Sequence, residues 1–409
     1  MKRVTTMTMT LMLDLDDTLL DLSTDIFVPA YFKKLGAFLE KRINPGRLID
    51  ELLAGTNLML RNERPDLTLD EVFSNHFFPA VGFERAELQP EIDRFYDEIF
   101  PSLKELTAPR AAAVELVEYA FERGWRVVVA TNPLFPRKAI YERLRWANLA
   151  PEKYPFALIT TMETSHFTKS IPAYYLEILG NLGWPAGPVI MAGNDPQTDI
   201  DSALSAGLPI YWIRPDGGKS LPGLVDMPQG ELKDFRHWIE NIDDDLLEPS
   251  LKNPDALIRT LQSTPAILDS VMRSLRPTDW TVRSQPKEWA AVEIFCHLRD
   301  MDAEVNLPRV LTLIAENDAF IAGRDTDPWA EAREYIKQDG PAALREFVAT
   351  RQKLIGTLQS LSREGWDRRA RHTIFGPTGL QELVGFMAEH DRTHVRQVIG
   401  LLDELHKMN

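Results

Sequence analysis

Residues 9–18, Met-Thr-Leu-Met-Leu-Asp-Leu-Asp-Asp-Thr, decide how the first half of this chain is read. A short apolar run that breaks into acid is the pattern of a buried parallel strand with a polar loop at its carboxyl end. Asp14 and Asp16 stand two residues apart in that loop, so two carboxylates can work on one reaction centre. Displacement at phosphorus needs a nucleophile on one side and a proton donor for the leaving oxygen on the other. Asp14 is placed to attack and form an aspartyl-phosphate, and Asp16 to protonate the leaving alcohol and then deprotonate the attacking water. Both carboxylates and the phosphate are anionic, which calls for a divalent cation between them.

Outward from that loop, residues 21–106 carry apolar residues at three- and four-residue spacing, as in IFVPAYFKKLGAFLEK and ELQPEIDRFYDEIFPSL, and predict a helical insertion. Strands and helices then alternate. VELVEYAFERG is a helix closed by Gly124, WRVVVATN a strand, YERLRWANL a helix, FALITT a strand, PAYYLEILGNLG a helix, PVIMAGND a strand, DIDSALSAG a helix and PIYWI a strand. Five strands with intervening helices predict a doubly wound parallel sheet, with its chemistry at the carboxyl ends of the strands. Those ends carry Asp14, Thr131 with Asn132, and Asn194 with Asp195. Thr131 and Asn132 are candidates to bind phosphoryl oxygens, as is Thr18 beside the carboxylates. Lys169, just before a helix, can neutralise charge on the intermediate, and Asp195 and Asp199 can complete a cation site. The insertion's aromatics, Phe32, Phe38, Phe73, Phe77 and Phe78, read as core, and His76 and His166 as structural.

The Gly- and Pro-rich stretch 214–232 reads as a loop, LKDFRHWIENI as the last helix of a first domain, and Asp243-Asp244-Asp245 with Pro249-Ser250 as a linker. Domains are therefore expected at 1–245 and 246–409. Beyond 246 no strand pattern returns. Four amphipathic helices are predicted at about 254–275, 287–316, 341–363 and 379–405, with Thr378 and Gln381 as a capping box for the fourth, and short connections predict a four-helix bundle. In the last helix Leu383, Met387, His390, His394, Val398 and Leu401 form one stripe, and in the second Ile294, His297 and Met301 form another. Three inward imidazoles can hold one divalent metal such as Zn2+, Ni2+ or Fe2+ and leave coordination positions open. Spacing alone also allows histidines satisfied by hydrogen bonds.

Composition narrows the classes. The chain has 409 residues, 46 Lys and Arg against 61 Asp and Glu, and a formal net charge of -15. That balance argues against a nucleic-acid or anionic-membrane partner. The single cysteine, Cys296, rules out an intrachain disulfide. The N-terminus lacks a signal-peptide pattern and no run approaches the ~18 apolar residues of a membrane span, so a cytoplasmic protein is expected.

Two resemblances sharpen these readings. DLDDTL, VVVATN, Lys169 and GNDPQTD resemble the four motifs of the haloacid dehalogenase (HAD) superfamily over about residues 8–240. The resemblance implies a Rossmann-like core with a helical cap at about 21–106, Mg2+, and hydrolysis of a small phosphorylated metabolite. It places the nucleophile on Asp14, the acid/base on Asp16, phosphate ligands on Thr131 and Lys169, and the metal acids in the stretch Asn194–Asp199. An acid at Asp16 favours phosphatase over dehalogenase chemistry within that superfamily. Two positions depart from its pattern: Ser170 follows the lysine where proline is common, and Asn194 follows Gly193 where an acid is usual, so Asp195 is expected to take the metal role. Over about 250–409, WAAVEIFCHLRDMDAE, Trp366-Asp367 and FGPTGLQELVGFMAEHDRTHVRQV resemble the DinB-like metal-dependent bundles, whose ligands fall on His297, His390 and His394. Asp391 and Gln397 are candidates for supporting those ligands. This second resemblance leaves open a thiol-transferase activity with the first half auxiliary, or a sensor or dimerisation module, and a homodimer.

Overall fold

A computed structural model describes residues 8–214, 227–316 and 318–408. The chain forms two compact units, one from the described residues of Met1–Tyr174 and Ala186–Pro249, the other from Tyr175–Pro185 and the described residues of Ser250–Asn409.

The first unit contains strands β1 (Thr10–Leu13), β2 (Leu20–Leu22), β3 (Thr107–Pro109), β4 (Arg126–Val129), β5 (Leu158–Ile159), β6 (Val189–Gly193), β7 (Ile210–Ile213) and β8 (Gln229–Gly230). Six of them form one sheet in the order β5-β4-β1-β6-β7-β8, every neighbouring pair parallel. The expected five strands are present, and β8 adds an edge inside the stretch expected as a loop, most of which lies outside the described residues. β1 sits at the centre and all four of its residues are buried, as a strand covered on both faces must be. Its register pairs Leu13 with Val129 on one side and with Ala192 on the other. The loops after β1, β4 and β6 therefore emerge side by side. That register alone brings Asp14, Thr131 and Asn194 to one edge.

The insertion folds as helices Thr24–Leu39, Pro45–Leu60, Leu69–Val81 and Arg85–Arg94. Leu69–Val81 shows why these boundaries hold. Thr68 and Glu71 form a reciprocal capping box at its start, and Gly82, at φ 83°, takes the left-handed conformation that stops it. β2 and β3 pair antiparallel at the two stems of the insertion, tying its ends together.

In the second unit the four helices form at Pro254–Ser274, Ala291–Met301 continuing to Ala315, Gly340–Gln359 and Leu380–Met408. Four details differ from the sequence reading. A three-stranded sheet of β9 (Ala319–Ile321), β10 (Arg369–His372) and β11 (Gly376–Gly379) accompanies the helices, so this domain is not purely helical. These strands are too short to show a period in sequence. Thr378 lies in β11 and its hydroxyl bonds the Glu382 carboxylate, while Gln381 bonds the Lys252 carbonyl, so the two do not form a capping box. The second helix starts only at Ala291 and is interrupted by a π-helical turn at Asp302–Asn306. The acid run expected as linker forms a short 3-10 helix, Asp244–Leu247, anchored by buried Leu247.

Candidate active site and metal centre

Asp14 directly follows β1, buried, with its N–H donating to the Ala192 carbonyl at 3.0 Å. Lys169, almost wholly buried, donates its ammonium to Asp14 Oδ1 and, at 2.6 Å, to Asp199 Oδ1. Burial opposes a charge on Lys169, and the two carboxylates override it, holding its pKa above the ordinary value. One lysine cannot neutralise two carboxylates. Burial lifts Asp199, Lys169 pulls it back and the Asp14 charge lifts it again, leaving it at about 7. Asp199 Oδ2 accepts the Asp195 N–H at 3.0 Å, so both Asp199 oxygens are already committed. Gly193 is required here, because a Cβ at that position would strike the Asp199 carboxylate.

Asp16 pairs through Oδ2 with Arg143, a side chain absent from the sequence reading. Its Oδ1 is buried without a hydrogen-bond partner. Burial raises the Asp16 pKa, Arg143 lowers it, the Asp14 charge raises it, and the net direction is upward. Arg143 itself is 1% exposed, lies over the Phe135 ring at 4.7 Å, and leaves Nε and Nη2 without partners.

The other predicted residues divide. Thr131 and Asn132 line the same cavity as Asp14, and Asn132 Oδ1 accepts the Lys169 N–H at 3.4 Å. Thr18 does not line it. It is fully buried and its hydroxyl donates to Asn194 Oδ1 at 3.1 Å, which locks the first and fourth loops together instead of contacting substrate. Asn194 and Asp195 reach the cavity, but Asp195 also caps the following helical turn, accepting the N–H groups of Gln197 and Thr198 at 2.9 and 2.7 Å. The donor set fits a cation: carboxylates exceed the local basic charge, and Asp16 Oδ1 is buried without a hydrogen-bond partner although Oδ2 is paired with Arg143. Asp14, Asn194 and Asp195 carry the side chains that would hold it, which leaves the Asp16 carboxyl, also expected as a ligand, for proton transfer. His76 bonds Glu51 at 3.0 Å and His166 is fully buried; neither lines the cavity.

That cavity measures about 900 Å3 and runs from Asp14 into the helical insertion. Phe32, Phe73, Phe77 and Phe78 line it, whereas Phe38 packs on Phe95. Four of the five aromatics read as core therefore face a hollow.

In the second unit His297, His390 and His394 do converge. Nε2 of His390 lies 3.0 Å from that of His297 and 3.2 Å from that of His394. The three ligand atoms lie within 4.8 Å of one another, the one such cluster of His, Cys, Asp or Glu among the described residues. His394 Nδ1 bonds Gln397 Oε1 at 2.7 Å. An amide oxygen only accepts, so Nδ1 carries the proton and Nε2 presents its lone pair inward. Burial, first of all, depresses the pKa of His297 to about 3 and of His390 and His394 to about 4, keeping all three neutral. Neutral imidazoles whose Nε2 atoms converge on one point fit a metal ion there. Trp289 stacks on His394 at 5.6 Å with an interplanar angle of 3°, and both line a second cavity of about 480 Å3 with Lys287, Arg396 and Gln397. Asp391 does not support a histidine. With Asp302 it clamps the buried guanidinium of Arg351.

Arg143 and Arg351 were legible in principle. Each occupies the apolar stripe of its helix, Arg143 among Ala139, Ile140 and Leu144, Arg351 among Phe347, Val348 and Leu354. A charge on such a stripe must find a buried partner.

Comparison with known proteins agrees with this division. Residues 8–207 match the family model for haloacid dehalogenase-like hydrolases and residues 260–398 that of the DinB superfamily, so the chain carries one domain of each kind. No curated protein matches it. Similar solved structures include YfiT from Bacillus subtilis, with an unusual four-helix bundle topology (18% identity, 39% of this chain and 91% of that one, TM-score 0.36). The HAD-hydrolase YfnB from Bacillus subtilis, bound to magnesium, is 23% identical over 58% of this chain and 100% of its own, with a TM-score of 0.35. A 2-haloacid dehalogenase from Pseudomonas syringae pv. Tomato DC3000 is 19% identical over 57% of this chain and 99% of its own, with a TM-score of 0.41. No described helix is long and apolar enough to cross a membrane.

Proposed function

We propose that the first domain hydrolyses a phosphomonoester through an aspartyl-phosphate, with Mg2+ as its cation, and that the second holds one divalent transition metal on His297, His390 and His394. The observation that carries the first reading is the grouping of Asp14, Asp16, Lys169 and Thr131 at one strand edge. Lys169 holds Asp14 Oδ1 and orients the carboxylate. Asp14 attacks phosphorus, the ester P–O bond breaks, and Asp16 gives its proton to the leaving oxygen. Water then attacks the acyl phosphate, Asp16 takes the water proton, and inorganic phosphate leaves with Asp14 restored. Asp16 must hold a proton at the first step, and burial lifts its carboxyl in that direction. A bound cation would offset the combined charge of phosphate and carboxylates. The presence of Asp16 is what favours ester hydrolysis over dehalogenation, since a carbon–halogen bond breaks without a proton donor.

The test is phosphate release from a panel of monoesters with Mg2+. Asp14→Asn should lower turnover on the order of 10^4-fold or more, as loss of a nucleophile does. Hydrolysis that survives this change would overturn the assignment.

A further inference from the structure

The cavity at Asp14 is far larger than a phosphate. At about 900 Å3 it lies near the upper end of the ~300–1,000 Å3 range of ligand pockets. One end carries Asp14, Thr131, Asn132 and Lys169. The remainder lies among the insertion's helices and is walled by Phe32, Leu35, Leu52, Phe73, Phe77 and Ile92, with the polar side chains of Thr56, Ser74, Gln89 and Asp93 among them. Leu35 and Phe77 are buried in the protein yet face this space. Phe73 and Phe77 stack at 5.0 Å, and Gly55 makes room for them, because a Cβ there would meet the Phe73 ring at 2.8 Å.

Charge selects further. Carboxylates outnumber basic side chains along the wall; Arg85 is paired with Asp70 at 2.8 Å and Lys138 with Asp97 at 2.7 Å, while Arg137 also lines it. A second anionic group on the substrate would meet this excess of carboxylates, with Arg137 as the one further basic side chain among the described residues of the wall outside those pairs and Lys169.

Building on the phosphatase reading, we infer that the substrate is a phosphomonoester whose body is uncharged and largely apolar, an alkyl or aryl phosphate that lays its chain among Phe32, Phe73 and Phe77. This narrows the expected small phosphorylated metabolite to one chemical class. The insertion's hollow serves as the acceptor for the chain, and the strand edge as the acceptor for the phosphate.

Two series on the full chain test it. In the first, n-alkyl phosphates from ethyl to octyl are hydrolysed with Mg2+ present, alongside glycerol phosphate and a bisphosphate. In the second, the matching n-alkylphosphonates, which cannot be hydrolysed, are titrated by calorimetry. A buried methylene is worth roughly a three- to four-fold gain, so kcat/KM and affinity should each rise by about that factor per carbon until the chain fills the cavity. Phe73→Glu should flatten both slopes, and a slope that survives it unchanged counts against the inference. Turnover that is independent of chain length, or a preference for glycerol phosphate or the bisphosphate, overturns the inference and leaves the phosphatase reading standing. Length-dependent phosphonate affinity with no turnover of any ester overturns the phosphatase reading and supports the apolar-chain site. Neither turnover nor phosphonate binding overturns both.

Discussion

Replacing Arg143 by Met should move the pH profile of the first domain in a direction fixed by the site. Asp16 is pushed up by burial and by the Asp14 charge, and the adjacent guanidinium is the largest influence in the opposite direction. An opposite charge in direct contact holds a carboxyl down by about 1–3 units, and each unit is 1.36 kcal/mol of difference between protonation states. The acid form of Asp16 is the active one at the first step. Removing Arg143 therefore prolongs that form to higher pH, and the alkaline limb of kcat/KM should shift upward. Met fills much of the same buried volume beside Phe135, and the uncharged pocket protonates Asp16 rather than leaving a bare anion. Arg143→Lys keeps the charge and should shift the limb less. The assay is phosphate release from an alkyl phosphate between about pH 5 and 10, since an alkoxide needs a proton to leave. 4-Nitrophenyl phosphate is the control, because its weakly basic leaving group depends little on Asp16. An alkaline limb that stays in place or moves down with the alkyl ester would refute the role of Asp16 as a proton donor tuned by Arg143.

Two further outcomes concern the second domain. Gln397→Leu removes the acceptor that fixes the His394 tautomer and should weaken metal affinity about 10–100-fold without changing the one-ion stoichiometry; chelator competition with metal analysis reads it, and unchanged affinity would remove Gln397 from the site. Arg351→Met leaves Asp302 and Asp391 buried without their cation, which costs about 3–5 kcal/mol and lowers the bundle's melting temperature by roughly 6–20 °C at about 2–4 °C per kcal/mol. Burial already raises Asp302 against the pull of Arg351, and without the cation its folded pKa rises further above the unfolded one. The variant is thus relatively better off at low pH and loses stability as pH rises, so the deficit measured by thermal unfolding should be larger at pH 8 than at pH 5; a deficit below about 1 kcal/mol at pH 8 would mean that the clamp is idle.

How far the sequence could be read depended on whether a residue's role is set by its own neighbours in the chain or by distant ones. Asp14 was legible because a buried strand and its acidic loop are local facts, and the parallel register then carries Thr131 and Asn194 to the same edge without further information. His390 and His394 were legible because one helical turn separates them, and only the approach of His297 needed the fold. Thr18 was misassigned although it lies in the same loop. Its hydroxyl answers to Asn194, a partner 176 residues away, and no local pattern says whether a loop hydroxyl faces the substrate or a neighbouring loop. The aromatics of the insertion do belong to the core, Phe77 and Phe78 within it and Phe32, Phe38 and Phe73 packed against it, but sequence does not show that four of them also border a cavity. Helical periodicity says that Phe73 and Phe77 point inward, but an interior can be filled or hollow, and the difference rests on Gly55 and on how three helices pack. The sequence therefore located the chemistry, which is local, while the body of the substrate is written in the packing of the insertion and became readable only as a volume.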